Sequence, residues 1–205
     1  MPNWCENEIT IESLQFNEIK NIIENNNDDK MFFNKFIDIE PKVSNEKYNK
    51  NWFYINIDNY GTKWDVDVKE IFIDYLENKN TISLKFSTAW SPPIIFCKRF
   101  SEKYNAILEL KYFECGCDFS GHVLINNGKI TYEKNYSHLE GMFNLKDKDK
   151  ETFWDYIYSL IVNEYIHNKK LKIETFIKNY NLNFINENEI NTLKELFNKT
   201  INEFI

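Results

Sequence analysis

Trp4, Asn7, Ile9 and Ile11 alternate with polar neighbours over residues 4–12, the two-residue period of a half-buried strand. Leu14, Ile19, Ile22 and Ile23 then recur at helical spacing, and Asn25-Asn26-Asn27-Asp28-Asp29 supplies turn-forming residues that end that helix. Residues 31–37 are apolar and aromatic and predict a short helix ahead of a connection through Pro41. Phe53, Ile55 and Ile57 alternate again, predicting a second strand that leads to a turn at Gly61. Val68, Phe72 and Leu76 stand four apart and predict a helix, and Ile82, Leu84 and Phe86 predict the next strand. A helix starting with Ser91 as its cap and proline in its first turn would bury Phe96, Phe100 and Tyr104. Residues 107–113 read as a strand, and the Asn127-Gly128 turn joins Val123–Ile125 to Ile130–Tyr132 in a hairpin.

From about residue 147 the alternation gives way to helical periodicity. Phe153, Ile157, Leu160 and Ile161 mark one helix, 171–180 a second, and Ile190, Leu193, Leu196, Phe197 and Ile201 a third. The expected organisation is a first domain over 1–146, an α+β unit with the element order strand, helix, strand, strand, helix, strand, and a helical extension over 147–205. No fixed-period repeat argues for a solenoid.

Composition sharpens this picture. Of 205 residues, 42% are hydrophobic and 17% aromatic, more aromatic surface than a disordered chain carries. The net charge of −7, with Arg99 the sole arginine, weakens phosphate-backbone binding and bidentate base reading, so sequence-specific DNA binding is not expected. No segment approaches the ~20 apolar residues of a membrane span, and the N-terminus lacks a basic region followed by an apolar run. A cytoplasmic protein with Cys5, Cys97, Cys115 and Cys117 as reduced thiols is expected.

Four stretches carry a family likeness. They are Met1 to Asn7 with the strand that follows, Tyr60-Gly61-Thr62-Lys63-Trp64-Asp65, Phe86 to Pro93, and Tyr112 to Gly121. In this order they resemble the YubB-type ferredoxin-like family of plasmids, prophages and phages. The fourth departs from the family pattern in placing Cys115 and Cys117 around its central glycine. The resemblance implies a ferredoxin-like antiparallel sheet packed with helices and a mobile-element setting. In that setting small accessory proteins often inhibit host defence.

Several residues suggest chemistry. Trp4, Trp64 and Trp90 sit beside turns or strand ends, either as an aromatic pocket for a base or nucleotide or as a structural cluster beneath the sheet. Cys115, Cys117 and His122 bring three zinc-compatible ligands within eight residues, yet at a spacing foreign to common zinc modules, and small apolar fillers are the competing reading. Asp65, Asp67, Glu114 and Asp118 sit at loop ends, where they would either converge on a cation or serve as caps and solvated loop residues. His122, His138 and His167 stand in no nucleophile motif, and five glycines leave no phosphate loop.

The expectation is therefore a binding protein without cofactor or metal and without a catalytic set. Trp64, Asp65, Trp90, Glu114 and Asp118 are its candidate contact residues. Its expected partner is a host protein or ribonucleoprotein such as a CRISPR effector, whose basic groove an acidic, aromatic chain would occlude. The alternative is a nucleotide or small-molecule binder or enzyme using a Trp-lined pocket on the sheet. A plasmid or phage DNA housekeeping role is disfavoured by the charge.

Overall fold

A computed structural model of the chain describes residues 3–25, 31–39, 52–114, 116–117, 119–146 and 151–203. It divides into two compact units, 1–135 and 136–205. The sequence pattern alone puts the boundary after 146. In the structure α5 (His138–Gly141) and the π turn over Met142–Lys146 belong to the second unit.

The first unit is built on a six-stranded sheet. Its strands are β1 (Trp4–Glu12), β2 (Phe72–Leu76), β3 (Thr81–Ala89), β4 (Ile107–Glu114), β5 (Phe119–Asn126) and β6 (Lys129–Tyr136), in the order β2-β3-β1-β4-β5-β6. Strand β3 pairs antiparallel with β1 and β2, and β4 pairs antiparallel with β1 and β5. Helix α1 (Phe16–Glu24) follows β1, and α4 (Ile94–Lys103) joins β3 to β4. Taken over β1 to β4 this is the split β-α-β-β-α-β arrangement of ferredoxin-like folds, with β5 and β6 added beyond β4.

One face of the sheet is dry and the other is not. Cys5, Ile9 and Ile11 of β1, Ile82, Leu84 and Phe86 of β3, and Leu108 and Leu110 of β4 turn to a core shared with α1, α4 and α2 (Phe32–Phe36). Their sheet neighbours Glu6, Glu8, Lys85 and Glu109 alternate onto the opposite, polar face, as antiparallel sheets allow. The core is unusually aromatic. Phe33 stacks on Phe96 with ring centroids 4.3 Å apart, and Phe36 meets Phe100 at 5.0 Å. Burial of each such ring stabilises the fold by roughly 1.5–3 kcal/mol.

Three elements differ from the sequence expectation. Residues 52–60 form helix α3, not a strand. Residues 68–76 form a short 3-10 turn and then the edge strand β2, not a helix. Helix α4 starts at Ile94 after Pro93, and Ser91 does not cap it, because its hydroxyl donates to the Gly61 carbonyl at 2.7 Å.

The second unit contains α5, the π turn, α6 (Glu151–His167), α7 (Ile173–Asn179) and α8 (Glu187–Asn202). Phe153, Ile157, Ile161, Phe176, Leu193 and Phe197 are among its buried side chains along those helices. Helix α8 opens with a full capping box: the Asn186 side chain accepts from the Glu189 amide, and the Glu189 carboxylate accepts from the Asn186 amide. No described helix is long and apolar enough to cross a membrane.

Candidate functional site

The four sequence motifs meet at one end of the sheet, where β1 begins and β3 and β4 end. Trp4 pairs with Ala89, and Glu6 pairs with Ser87 on one side and Phe113 on the other. Asn7 holds this end together from within. Its buried side-chain amide donates to the Thr88 hydroxyl at 2.9 Å and to the Cys5 carbonyl at 2.8 Å. Thr88 passes the bond on, donating to the Ser91 carbonyl at 2.8 Å. The Trp90 amide donates to the Asn3 carbonyl at 2.9 Å, fixing a tryptophan whose φ is +74°.

The loop after α3 is fixed just as firmly. Gly61 takes φ +84°, and a Cβ there would press to 3.2 Å on the Ile95 amide, so only glycine fits easily. Thr62, fully buried, donates to the Ala89 carbonyl at 2.9 Å. Asp65 then reaches the start of α2. Its carboxylate accepts from the amides of Phe33 (2.7 Å), Asn34 (2.9 Å) and Val66 (2.7 Å). Burial pushes its carboxyl above the usual range, and the three amide donors pull the other way. Asp65 therefore works as a long-range helix cap. Asp67 caps locally, accepting from the Lys69 amide at 3.0 Å.

Trp64 is thus carried on a strap tied at both ends, and it faces outward. The indoles of Trp4, Trp64 and Trp90 are 50%, 36% and 44% exposed, so they do not form a cluster beneath the sheet. They form a row. Trp4 and Trp64 lie 6.2 Å apart and tilted by 47°, and Phe53 meets Trp90 at 5.8 Å. Between them the Lys63 ammonium sits 4.5 Å from the Trp64 ring and 4.1 Å from the Trp90 ring, within cation-π range of both. An open cleft of about 480 Å³ adjoins this row, lined by Trp4, Met31, Trp64, Asp67, Glu70 and Ser87 among others.

The fourth motif is spent on its own turn. Glu114 is buried, and its carboxylate accepts from the amides of Gly116 (2.8 Å) and Cys117. The Asn3 side-chain amide donates to the exposed Cys117 sulfur at 2.9 Å. Tyr112 lies across Gly121, its cross-strand partner, and donates to Asn135 at 2.8 Å. Cys115 and Asp118 lie outside the described residues. His122 sits on β5, 2.8 Å from the Glu109 carboxylate and in edge contact with Tyr132. Among the described residues no three His, Cys, Asp or Glu side chains are gathered as a metal would require.

Of the candidate residues, Trp64 and Trp90 share the exposed row, Asp65 lies beside it as a cap, and Glu114 belongs to the neighbouring turn. Lys63, Glu70 and Phe53 were missed by sequence reasoning, although Lys63 next to Trp64 was a signal for a stacked cation.

Residues 59–154 match the family model described as the ferredoxin-like domain in Api92-like protein. This chain carries a ferredoxin-like domain. The matched segment holds β2 to β6 and α4 but not β1, which is the central partner of β3 and β4. No curated protein matches. Among solved structures, protein api92 from Yersinia pseudotuberculosis is similar at 17% identity, over 43% of this chain and 31% of that one, with a TM-score of 0.38. The chain thus spans under a third of that protein's length.

Proposed function

We propose that this chain is a binding protein that acts by contact with another macromolecule through the tryptophan row at the end of its ferredoxin-like sheet. The observation that carries the reading is three half-exposed indoles standing on a rigid, hydrogen-bonded support. Tryptophan anchors of this kind concentrate binding energy, and a support fixed in advance lowers the ordering cost of association. The resemblance of the four motifs to the YubB-type family supports a phage, prophage or plasmid setting. Together with the net charge of −7, it favours an inhibitor of a host defence complex such as a CRISPR effector, docked on a basic nucleic-acid groove in the cytoplasm.

The test is affinity capture from a host lysate at physiological salt, with wild type beside Trp64→Ala and Trp90→Ala. Recovery of a defence component by the wild type and its loss with the variants is the expected result. Recovery of none removes the inhibitor reading.

The cleft favours a second reading. Its volume of about 480 Å³ lies in the range of small-molecule pockets, so a nucleotide or other small ligand is the competing occupant. A ligand at a hundred times its Kd would raise stability by about 2.7 kcal/mol, and a flat thermal-shift screen across nucleotides would discard this reading.

A further inference from the structure

Exposed indoles serve two opposite kinds of partner. Lined with positive charge they stack nucleobases while lysines hold phosphates, and lined with negative charge they receive cations, since the indole face itself is electron-rich. The charges around this row decide between them. Asp67 and Glu70 line the cleft beside Trp4 and Trp64. Ser87, in its lining, pairs with Glu6, and from there the exposed face of the sheet continues through Glu8 and Glu12 on β1, Asp74 on β2 and Glu109 on β4, with the exposed apolar Phe72, Leu76 and Ile107 among them. Across those four strands the cations on the same face are Lys85 and Lys111, and His122 of the adjacent β5 also meets Glu109 at 2.8 Å. Lys85 lies 3.6 Å from Glu8, and Lys111 lies 3.1 Å from Glu109.

The row also displays its own chemistry. Lys63 places its ammonium between Trp64 and Trp90, so the indoles already hold one alkylammonium ion in this fold. The lysine lies against Trp64 and Trp90, and the cleft, lined by Trp4 and Trp64 but not by Trp90, carries the carboxylates of Asp65, Asp67 and Glu70. Asp65, although part of the cleft wall, contributes less, because its oxygens already accept three backbone amides.

From these features we infer that the cleft receives a lysine or arginine side chain of a basic protein segment, with the cation against Trp4 and Trp64 and near Asp67 and Glu70, and the rest of the segment along the acidic sheet face. This rests on the reading of the tryptophan row as a contact surface and gives that surface its ligand class. The carboxylates lining the cleft disfavour the phosphates of a nucleic acid, and a basic peptide gains both from the indoles and from the carboxylates.

The experiment is calorimetric titration of the full chain with four probes: an Ala/Lys decapeptide with blocked ends, its Arg and Gln counterparts, and a single-stranded DNA of ten nucleotides. The Lys and Arg peptides are expected to bind, with affinity falling as salt rises, and the Gln peptide and the DNA are expected not to. Trp64→Ala and Glu70→Gln should each weaken the basic peptides about tenfold. Trp64→Phe retains a ring and should weaken them less, which separates lost recognition from lost folding. Equal binding of the Gln peptide, or binding of the DNA alone, overturns the inference. A lysate partner that is lost with Trp64→Ala while the basic peptides do not bind would leave the contact surface standing and remove only its cationic ligand. Insensitivity of both to Trp64→Ala would remove the two together.

Discussion

At position 121 the sheet leaves room for a ring. A Cβ on Gly121 would lie 2.3 Å from the Tyr112 hydroxyl oxygen and 2.4 Å from the ring carbon that bears it, so Tyr112 occupies the space a side chain would need. Its phenol is tethered to Asn135, which limits its retreat. Gly121→Ala is therefore expected to lower stability by about 1–3 kcal/mol, as overpacking does elsewhere. Urea denaturation would measure it, and an unchanged midpoint would show that the ring moves freely. Asp65 and Glu114 teach a related lesson about carboxylates. Both were candidates for ligand contact, and both turn their oxygens to backbone amides within the fold.

Among the elements, the capping box of α8 offers the cleanest test in the second unit. Asn186→Ala removes the acceptor for the Glu189 amide and is expected to cost about 1 kcal/mol, read as a lower thermal midpoint with little change in helix content at 25 °C. The elements also show what the sequence could reveal. Strands β1, β3 and β4 and helices α1, α2 and α4 were legible because each has a buried side with the period of its own structure, and the β5–β6 hairpin through its Asn127-Gly128 turn, since β6 has no buried side. Helix α3 was not, since only Asn59 and Tyr60 at its end are buried and no apolar stripe marks its earlier turns. The spacing of Val68, Phe72 and Leu76 misled for another reason. Four is an even number, so residues four apart share a face in a strand as well as in a helix. Ile73 and Tyr75 carry the inward side of β2, while Phe72 and Leu76 are exposed. The tryptophans were legible as a group by their motifs. Their outward orientation was not, because it depends on contacts such as Thr62 to Ala89 and Asp65 to Phe33 that join residues distant in the chain.

For the whole molecule, the buried thiols and phenols set a limit on the alkaline side. Burial pushes Cys5 from 9.0 up to about 12, and pushes Tyr75 and Tyr112 from 10.0 up to about 12. Cys97 and Tyr60 are raised in the same sense by the same cause. A folded chain that keeps protons an unfolded chain releases loses stability as pH rises. The stabilisation is whole below about pH 9 and falls between the unfolded and folded values, over roughly pH 9 to 12. Chemical denaturation at pH 8, 9.5 and 11 should show a progressive drop, and Cys5→Ala should make that drop shallower. A flat profile would mean that these groups titrate as freely as in the unfolded chain.

Trp90 is the one member of the aromatic row whose main chain sits in a left-handed turn, a posture that large residues avoid. Local comfort and outward display thus pull against each other at a single position. Trp90→Gly should lose the ring yet relax the turn, and so exceed Trp90→Ala in stability by about 1 kcal/mol while matching it in lost partner capture. A residue kept in an uncomfortable main-chain posture is thus where the proposed contact surface and the stability of the fold can be set against each other in one experiment.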